Sequence, residues 1–305
     1  MTKSVENRSF LLKSASIASI MVAGFLLIIK IFAFEATGAL SILAGLMDSL
    51  LDIAASVVNF FAVRYALNPA DHEHRFGHGK AEALAGLMQA TLITTSVVLL
   101  MIESGARLMQ PQAIENTDIG VIVTLISLVM TGGLVWYQSY VIKKTGSLAI
   151  KADMLHYKTD FWLNGAILIS LLVTLFSGIL QIDSILSIGI ALLILWGVKE
   201  IYAQSINQIL DRELPDEARK KLYLLAVSHP KVHEIHDLRT RTSGSGVFMQ
   251  FHMELPPETI LLDAHHISDE VEDYIRQNYD DPIEVFIHLD PLGHPRENPV
   301  KFTVH

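Results

Sequence analysis

Two pairs of ionisable residues stand in stretches that are otherwise apolar. Asp48 and Asp52 lie four apart within the run 41–66, and His156 and Asp160 lie four apart within the run 149–176. On a helix, residues four apart share a face at about 5–6 Å, so each pair points one way. An ionised carboxylate at mid-bilayer costs about 2.5–3.5 kcal/mol even on a lenient insertion scale. Two on one face also repel, and a cation held between them answers both problems. Three carboxylates and one imidazole complete a four-coordinate N/O shell, which suits Zn²⁺ and not Mg²⁺, whose shell is octahedral and strongly hydrated. Fe²⁺, Cd²⁺ and Co²⁺ fit the same donors. The plainer alternative is a satisfied polar network that packs helices together.

Two further clusters lie outside those runs. In Asp71-His72-Glu73-His74-Arg75-Phe76-Gly77-His78, the residues Asp71, His74 and His78 are spaced by three and four, so one helical turn or a compact loop brings them together. Three such donors permit a weaker, water-completed metal site, with His72 left out. The alternative is a solvated basic loop at a membrane edge. Towards the C-terminus, alternation predicts strands at 235–241, 247–254 and 283–289 and a helix at 263–279. His236, His252 and His288 then fall on polar strand faces, Asp290 points the same way as His288, and His265 at the helix start reaches the sheet edge. An aspartate that bridges two cations would make this cluster binuclear, against the alternative of scattered surface histidines.

The elements that must position these groups follow from composition. The chain has 305 residues, 51% hydrophobic and 18% charged, with mean hydropathy +0.40, too apolar for two soluble domains. Apolar runs at 10–34, 41–66, 81–108, 119–142, 149–176 and 182–204 are each long enough to cross roughly 30 Å of hydrocarbon as a helix. The first is read as a span and not a cleaved leader, because it is long and five more follow. Lys3, Arg8 and Lys13, then Arg64, Arg75 and Lys80, then Lys143, Lys144 and Lys151 mark one side of the membrane, which the positive-inside bias makes the cytoplasm for both termini. The last 94 residues carry 10 basic and 17 acidic side chains, and their helix–strand–strand–helix–strand order suits a two-layer α+β domain. The expectation is a polytopic α-helical membrane protein of six transmembrane helices over 1–210, followed by a cytoplasmic α+β domain over 211–305. A net charge of −9 argues against a nucleic-acid partner, and the absence of cysteine removes thiolate chemistry.

Taken together, Asp48-x-x-x-Asp52, His156-x-x-x-Asp160, the stretch from Arg64 through Asp71 to Glu82 and the run His236-Asp237-Leu238-Arg239-Thr240-Arg241 resemble the cation diffusion facilitator family, and within it the bacterial zinc and ferrous-iron efflux pumps. The resemblance runs essentially end to end. It implies that Asp48, Asp52, His156 and Asp160 form a transport site, that Asp71, His74 and His78 form a loop site, and that His236, His252, His265, His288 and Asp290 form a binuclear cytoplasmic site. It also implies a homodimer in the bacterial inner membrane, a metallochaperone-like fold for the C-terminal domain, exchange of a divalent cation for protons, and pairing of Lys80 with Asp211 at the membrane edge of the dimer. His156 points towards zinc, since manganese-type members carry aspartate there. Elementary chemistry agrees with the exchange: carboxylates and imidazole hold Zn²⁺ only when deprotonated, so loading releases protons. An intramembrane metalloenzyme would need an open coordination position and a general base, and no His-Glu-x-x-His motif supplies them. A channel with a metal-sensing soluble domain would conduct without proton counterflow.

Overall fold

A computed structural model describes residues 3–38, 40–110, 118–177, 181–244 and 246–293. Six long helices come first: α1 (Lys3–Thr37), α2 (Leu40–Ala66), α3 (Ala81–Met109), α4 (Asp118–Thr145), α5 (Leu148–Ser177) and α6 (Ile182–Ile209). After them come α7 (Asp216–Val227), β1 (Ile235–Thr242), β2 (Val247–Leu255), α8 (Leu261–Asn278) and β3 (Ile283–Pro291). The chain divides into two compact units, one of residues 1–69 and 81–206, the other of 70–80 and 207–305.

In the helical unit, α1, α2, α3, α4 and α6 are each long and apolar enough to cross a membrane. The helix α5 is equally long but carries Lys151, Asp153, His156, Lys158 and Asp160 in its first half. Small residues let the helices approach where lipid provides no hydrophobic drive; Ala15, Ser16, Ser19 and Ala23 of α1 are all buried. Conversely, Phe32, Leu99, Val129, Trp136, Leu193 and Trp196 are exposed, the outward apolar surface that hydrocarbon requires. At the end where α1, α3 and α5 begin, Glu82 is buried. It meets Arg8 at 3.6 Å and accepts a hydrogen bond from Ser147 Oγ at 2.7 Å, while Arg8 Nε donates to the Thr145 carbonyl at 3.3 Å. One buried carboxylate thus ties three helix ends.

In the second unit, β1 and β2 pair antiparallel, and β2 and β3 pair parallel across the α8 connection, in the order β1-β2-β3. Val247, Met249, Phe251, Met253 and Leu255 alternate into a core closed by Leu222 and Ala226 of α7 and by Ile267, Val271 and Ile275 of α8. Period-2 and period-3.6 stripes meet on one side of the sheet, which leaves the other side for the polar residues. A β-bulge interrupts β1 between His236 and Arg239, with Asp237 at φ 51°. Its extra residue lets Ile235 and Leu238, three apart, both enter the core, and it puts His236 and Arg239 together on the opposite face. The helix α6 also runs five residues past the apolar limit at 204, so Asp211 lies two residues beyond its end and not seven.

Phe251 is fully buried at the centre of β2. Truncation to alanine should cost this unit about 3–5 kcal/mol, whereas Phe248→Ala on the opposite face should cost less. Urea titration of the two variants checks this; equal small losses would contradict the assignment of the core face.

Candidate metal centres

In the helical unit, α2 supplies Asp52 and α5 supplies His156 and Asp160. His156 Nε2 lies 2.9 Å from Asp52 Oδ1 and 3.6 Å from Asp160 Oδ2, with all three side chains partly buried. Their ligand atoms fall within 4.8 Å of one another, a separation one cation can span. Asp48, one turn earlier on α2, is outside that group. Beside it stands a residue that the spacing argument missed: Lys30 of α1 donates to the Gly45 carbonyl at 2.9 Å and to Ser49 Oγ at 2.7 Å. The signal was available, since Lys30 is a charge inside an apolar run, but it has no ionisable neighbour four residues away. Behind the site, Tyr157 is buried and shares a 2.6 Å hydrogen bond with Ser56.

The loop cluster is built by a turn and not by a helix. Asp71 Oδ1 accepts the backbone N–H groups of His74 at 2.6 Å and Glu73 at 2.9 Å. Gly77 at φ 77° turns the chain so that His78 Nε2 comes 3.2 Å from Asp71 Oδ2, and His74 Nδ1 stands 3.5 Å from Asp71 Oδ1. The His74 amide first, then the Glu73 amide and both imidazoles, outweigh desolvation and hold the Asp71 carboxyl below its ordinary range. An ionised aspartate flanked by two imidazoles is a ready donor set for a divalent cation, with His78 buried and the other two residues exposed.

The third cluster crosses the outer face of the sheet. His236 pairs in register with His252, and His252 with His288, so the three imidazoles form a row with ring centroids 5.0 and 4.5 Å apart. Asp290 is its hub. One carboxylate oxygen lies 2.8 Å from His252 Nδ1 and 3.4 Å from His236 Nε2, and the other lies 3.3 Å from His288 Nε2. Glu254, two residues beyond His252 and therefore on the same face, adds an oxygen 3.6 Å from His236 Nε2; strand alternation could have found it. Although polar, His236 and His252 are buried. His265 lies elsewhere, exposed on α8 beside Asp269 at 3.5 Å. Within one chain it is not brought to the row.

The N-terminal part of the chain, residues 16–210, matches the family described as the cation efflux transmembrane domain, and residues 214–292 match the cation efflux protein cytoplasmic domain. The chain belongs to the cation efflux family. A cation-efflux pump FieF of Klebsiella pneumoniae is 44% identical over 287 residues, covering 93% of this chain and 95% of the relative. The FieF pump of Salmonella choleraesuis is 44% identical over 288 residues, covering 94% and 95%, and that of Yersinia enterocolitica is 43% identical over 283, covering 93% and 94%. A solved metal-bound C-terminal domain of the CzcD transporter from Thermotoga maritima is 27% identical, covering 26% of this chain and 93% of its own, with TM-score 0.25. As a cation efflux protein the chain is a transporter and not an enzyme, a bacterial multi-pass inner-membrane protein whose C-terminal domain is cytoplasmic.

In this cation efflux protein, Lys80 and Asp211 meet, and they do not meet alone. Lys80 Nζ is 2.9 Å from Asp211 Oδ1 and donates to the Ile209 carbonyl at 3.2 Å, while Arg241 Nη1 reaches the same aspartate at 3.3 Å. Arg241 in turn lies over the rings of Phe76 and Phe248, at 4.9 and 4.7 Å. Asp211 itself closes α6: Arg212 N–H donates to the Asn207 carbonyl and Asp211 takes φ 55°, a left-handed cap usually given to glycine. The 70–80 loop also docks through backbone. A methyl group on Gly79 would stand 2.0 Å from the Ser243 carbonyl oxygen, so only glycine fits.

Partial burial pushes the Asp211 carboxyl up, but the hydrogen bonds from Lys80 and Arg241 outweigh it and hold the group below its ordinary value of 3.8. A depressed folded value adds stability above pH 3.8 that is lost as pH falls through the folded value. Asp211→Asn tolerates the left-handed backbone and removes only the charge. It should therefore lower the unfolding midpoint near neutrality by a small amount, as expected for a partly exposed pair, with the gap closing below pH 3.8. A gap independent of pH would assign the loss to capping and not to charge.

Proposed function

We propose that this cation efflux protein is a homodimer that exports Zn²⁺, with Fe²⁺ and Cd²⁺ as further cargo, from the cytoplasm by alternating access in exchange for protons. In this reading six helices, α5 included, span the membrane within residues 1–210, and residues 211–305 form the cytoplasmic metal-binding and dimerisation domain. The observation that carries it is the convergence of Asp52, His156 and Asp160, whose ligand atoms lie within 4.8 Å, in helices otherwise built for lipid. Asp48 belongs to the same transport site. It shares its face of α2 with Asp52, and Lys30 supplies a nearby positive charge that eases its burial. The relatives named FieF support efflux of a cation, and the imidazole of His156 among carboxylates supports zinc as cargo.

Exchange follows from donor chemistry. The same groups that bind Zn²⁺ also bind protons, so loading of the metal displaces whatever protons those carboxylates and the imidazole hold. Asp71, His74 and His78, and separately His236, His252, His288 and Asp290, would hold cations that stiffen or regulate the cytoplasmic part. His265 belongs to the same proposed set, although its place on α8 leaves it apart from the row within one chain. The Lys80–Asp211 pair, with Arg241, ties the 70–80 loop to the segment that follows α6.

Flux measured in liposomes under an imposed pH gradient tests the reading. Asp52→Ala and Asp160→Ala should each abolish Zn²⁺ flux, because each removes a ligand and leaves the remaining charges unbalanced. His156→Asp should broaden the cargo towards Mn²⁺, since oxygen is a harder ligand than imidazole. Full flux by Asp52→Ala at low metal, or an unchanged selectivity in His156→Asp, would overturn the assignment. Asp290→Ala should weaken Zn²⁺ uptake by the cytoplasmic row by about tenfold or more, equivalent to about 1.4 kcal/mol, while turnover at saturating metal persists; abolished turnover would place that row in translocation itself.

A further inference from the structure

Three fully buried polar side chains meet in the helical unit outside all three clusters. They are Ser19 of α1, Gln138 of α4 and Asp153 of α5, each with no solvent exposure. Ser19 Oγ donates to Asp153 Oδ2 at 2.5 Å; Gln138 Nε2 donates to that same oxygen at 2.7 Å and lies 3.0 Å from Ser19 Oγ. The neighbours' donors are thus directed at one oxygen of the carboxyl group. Asp153 Oδ1 and Gln138 Oε1 are buried with no hydrogen-bond partner. Both are acceptors, and buried polar atoms left unmet call for an explanation.

An ionised Asp153 would leave a full negative charge in the interior with half of its acceptor capacity unmet. A proton on Oδ1 removes the charge and turns that atom into a donor. The position on the helix says when the proton would leave. Asp153 precedes His156 by three residues, about 4.5 Å along the axis, and shares its stripe on α5 with His156 and Asp160. The titratable groups that act on it are His156 and Tyr157 of its own helix and Asp52 of α2, while among the described residues α1 and α4 present the neutral Ser19 and Gln138. Tyr157, next to His156, reaches the same layer, its hydroxyl donating to the Ser19 carbonyl at 3.2 Å.

We propose that Asp153 is a proton-binding site coupled to the transport site, protonated on Oδ1 when the transport site is empty and ionised when a divalent cation occupies it. The inference rests on the proton-exchange reading and deepens it. On loading, the dication one helical turn away stabilises the carboxylate, the O–H bond breaks and the proton passes to water on the side from which the metal entered. On release of the metal, a proton from solution re-forms the bond. No other bond changes.

The test uses the full chain in detergent, with a pH indicator in weak buffer, and counts protons released per Zn²⁺ bound. Asp153→Asn keeps the shape and the acceptor towards Ser19 and Gln138. It should bind as many Zn²⁺ ions as the wild type and release one proton fewer per chain, and Asp153→Glu should restore the count. An unchanged count in Asp153→Asn with Zn²⁺ binding retained would overturn the proposal, and would mark the cluster as packing only. No proton release by the wild type would instead overturn the exchange reading itself. Infrared difference spectra of the wild type with and without Zn²⁺ keep the proposal falsifiable if the asparagine variant fails to fold: a carboxylic-acid C=O band lost on Zn²⁺ binding is expected, and the absence of any such band would overturn it.

Discussion

The cost of charge in a low-dielectric interior governs the helical unit. Asp52, His156 and Asp160 would each be expensive alone between helices, and they are brought to within a cation's reach of one another. The surrounding elements obey the same constraint. Lys30 is tied to α2 through Gly45 and Ser49, one residue from Asp48. Glu82 is buried only with Arg8 and Ser147 beside it. Small residues on α1 permit the close packing that these contacts need, because an ion pair set a helix diameter apart would be no pair at all.

The cytoplasmic sheet meets a related problem by a different device. A three-stranded sheet with helices on one side has an open face, and this one carries the histidine row at one end and Phe248 with Phe286 and Arg241 at the other. The bulge at Asp237 makes the division possible. Without it, placing Ile235 in the core would turn Leu238 outward and Arg239 inward, since strand alternation has period two. With it, His236 faces His252 in register and the core keeps both apolar residues. The left-handed backbone at Asp237, like that at Asp211, is strain accepted where a side chain has to be aimed.

Periodicity made much of this legible. Four-residue spacing on helices exposed the Asp52, His156 and Asp160 face, and two-residue spacing on strands exposed the shared direction of His288 and Asp290. Both patterns read a ligand from a neighbour on the same element. Groups whose partners come from other elements escaped: Lys30 bonds to backbone on α2, Arg241 meets Asp211 across thirty residues, and Asp153 finds Ser19 and Gln138 on two other helices. The bulge escaped because a single extra residue in a strand changes no composition. His265 marks another limit: strand and helix spacing name it as a donor, while within one chain α8 places it beside Asp269 and apart from the row.

Charge balance links the empty and loaded forms of the proposed exchanger. In the proposed exchange, an empty site that holds one proton among Asp52, His156 and Asp160, with Lys30 offsetting Asp48, would carry one negative charge while Asp153 is protonated. A dication that displaces only that proton would raise the total by one positive unit, and an uncompensated unit is what this interior tolerates least. Loss of a second proton restores the original total. Asp153 is suited to lose it: it is buried, one turn from the site, held by neutral donors on one oxygen only, and on the helix that carries two of the ligands. In that proposal the number of protons exchanged per metal would follow from keeping the same net charge in the hydrocarbon before and after loading, and not from how many residues touch the ion.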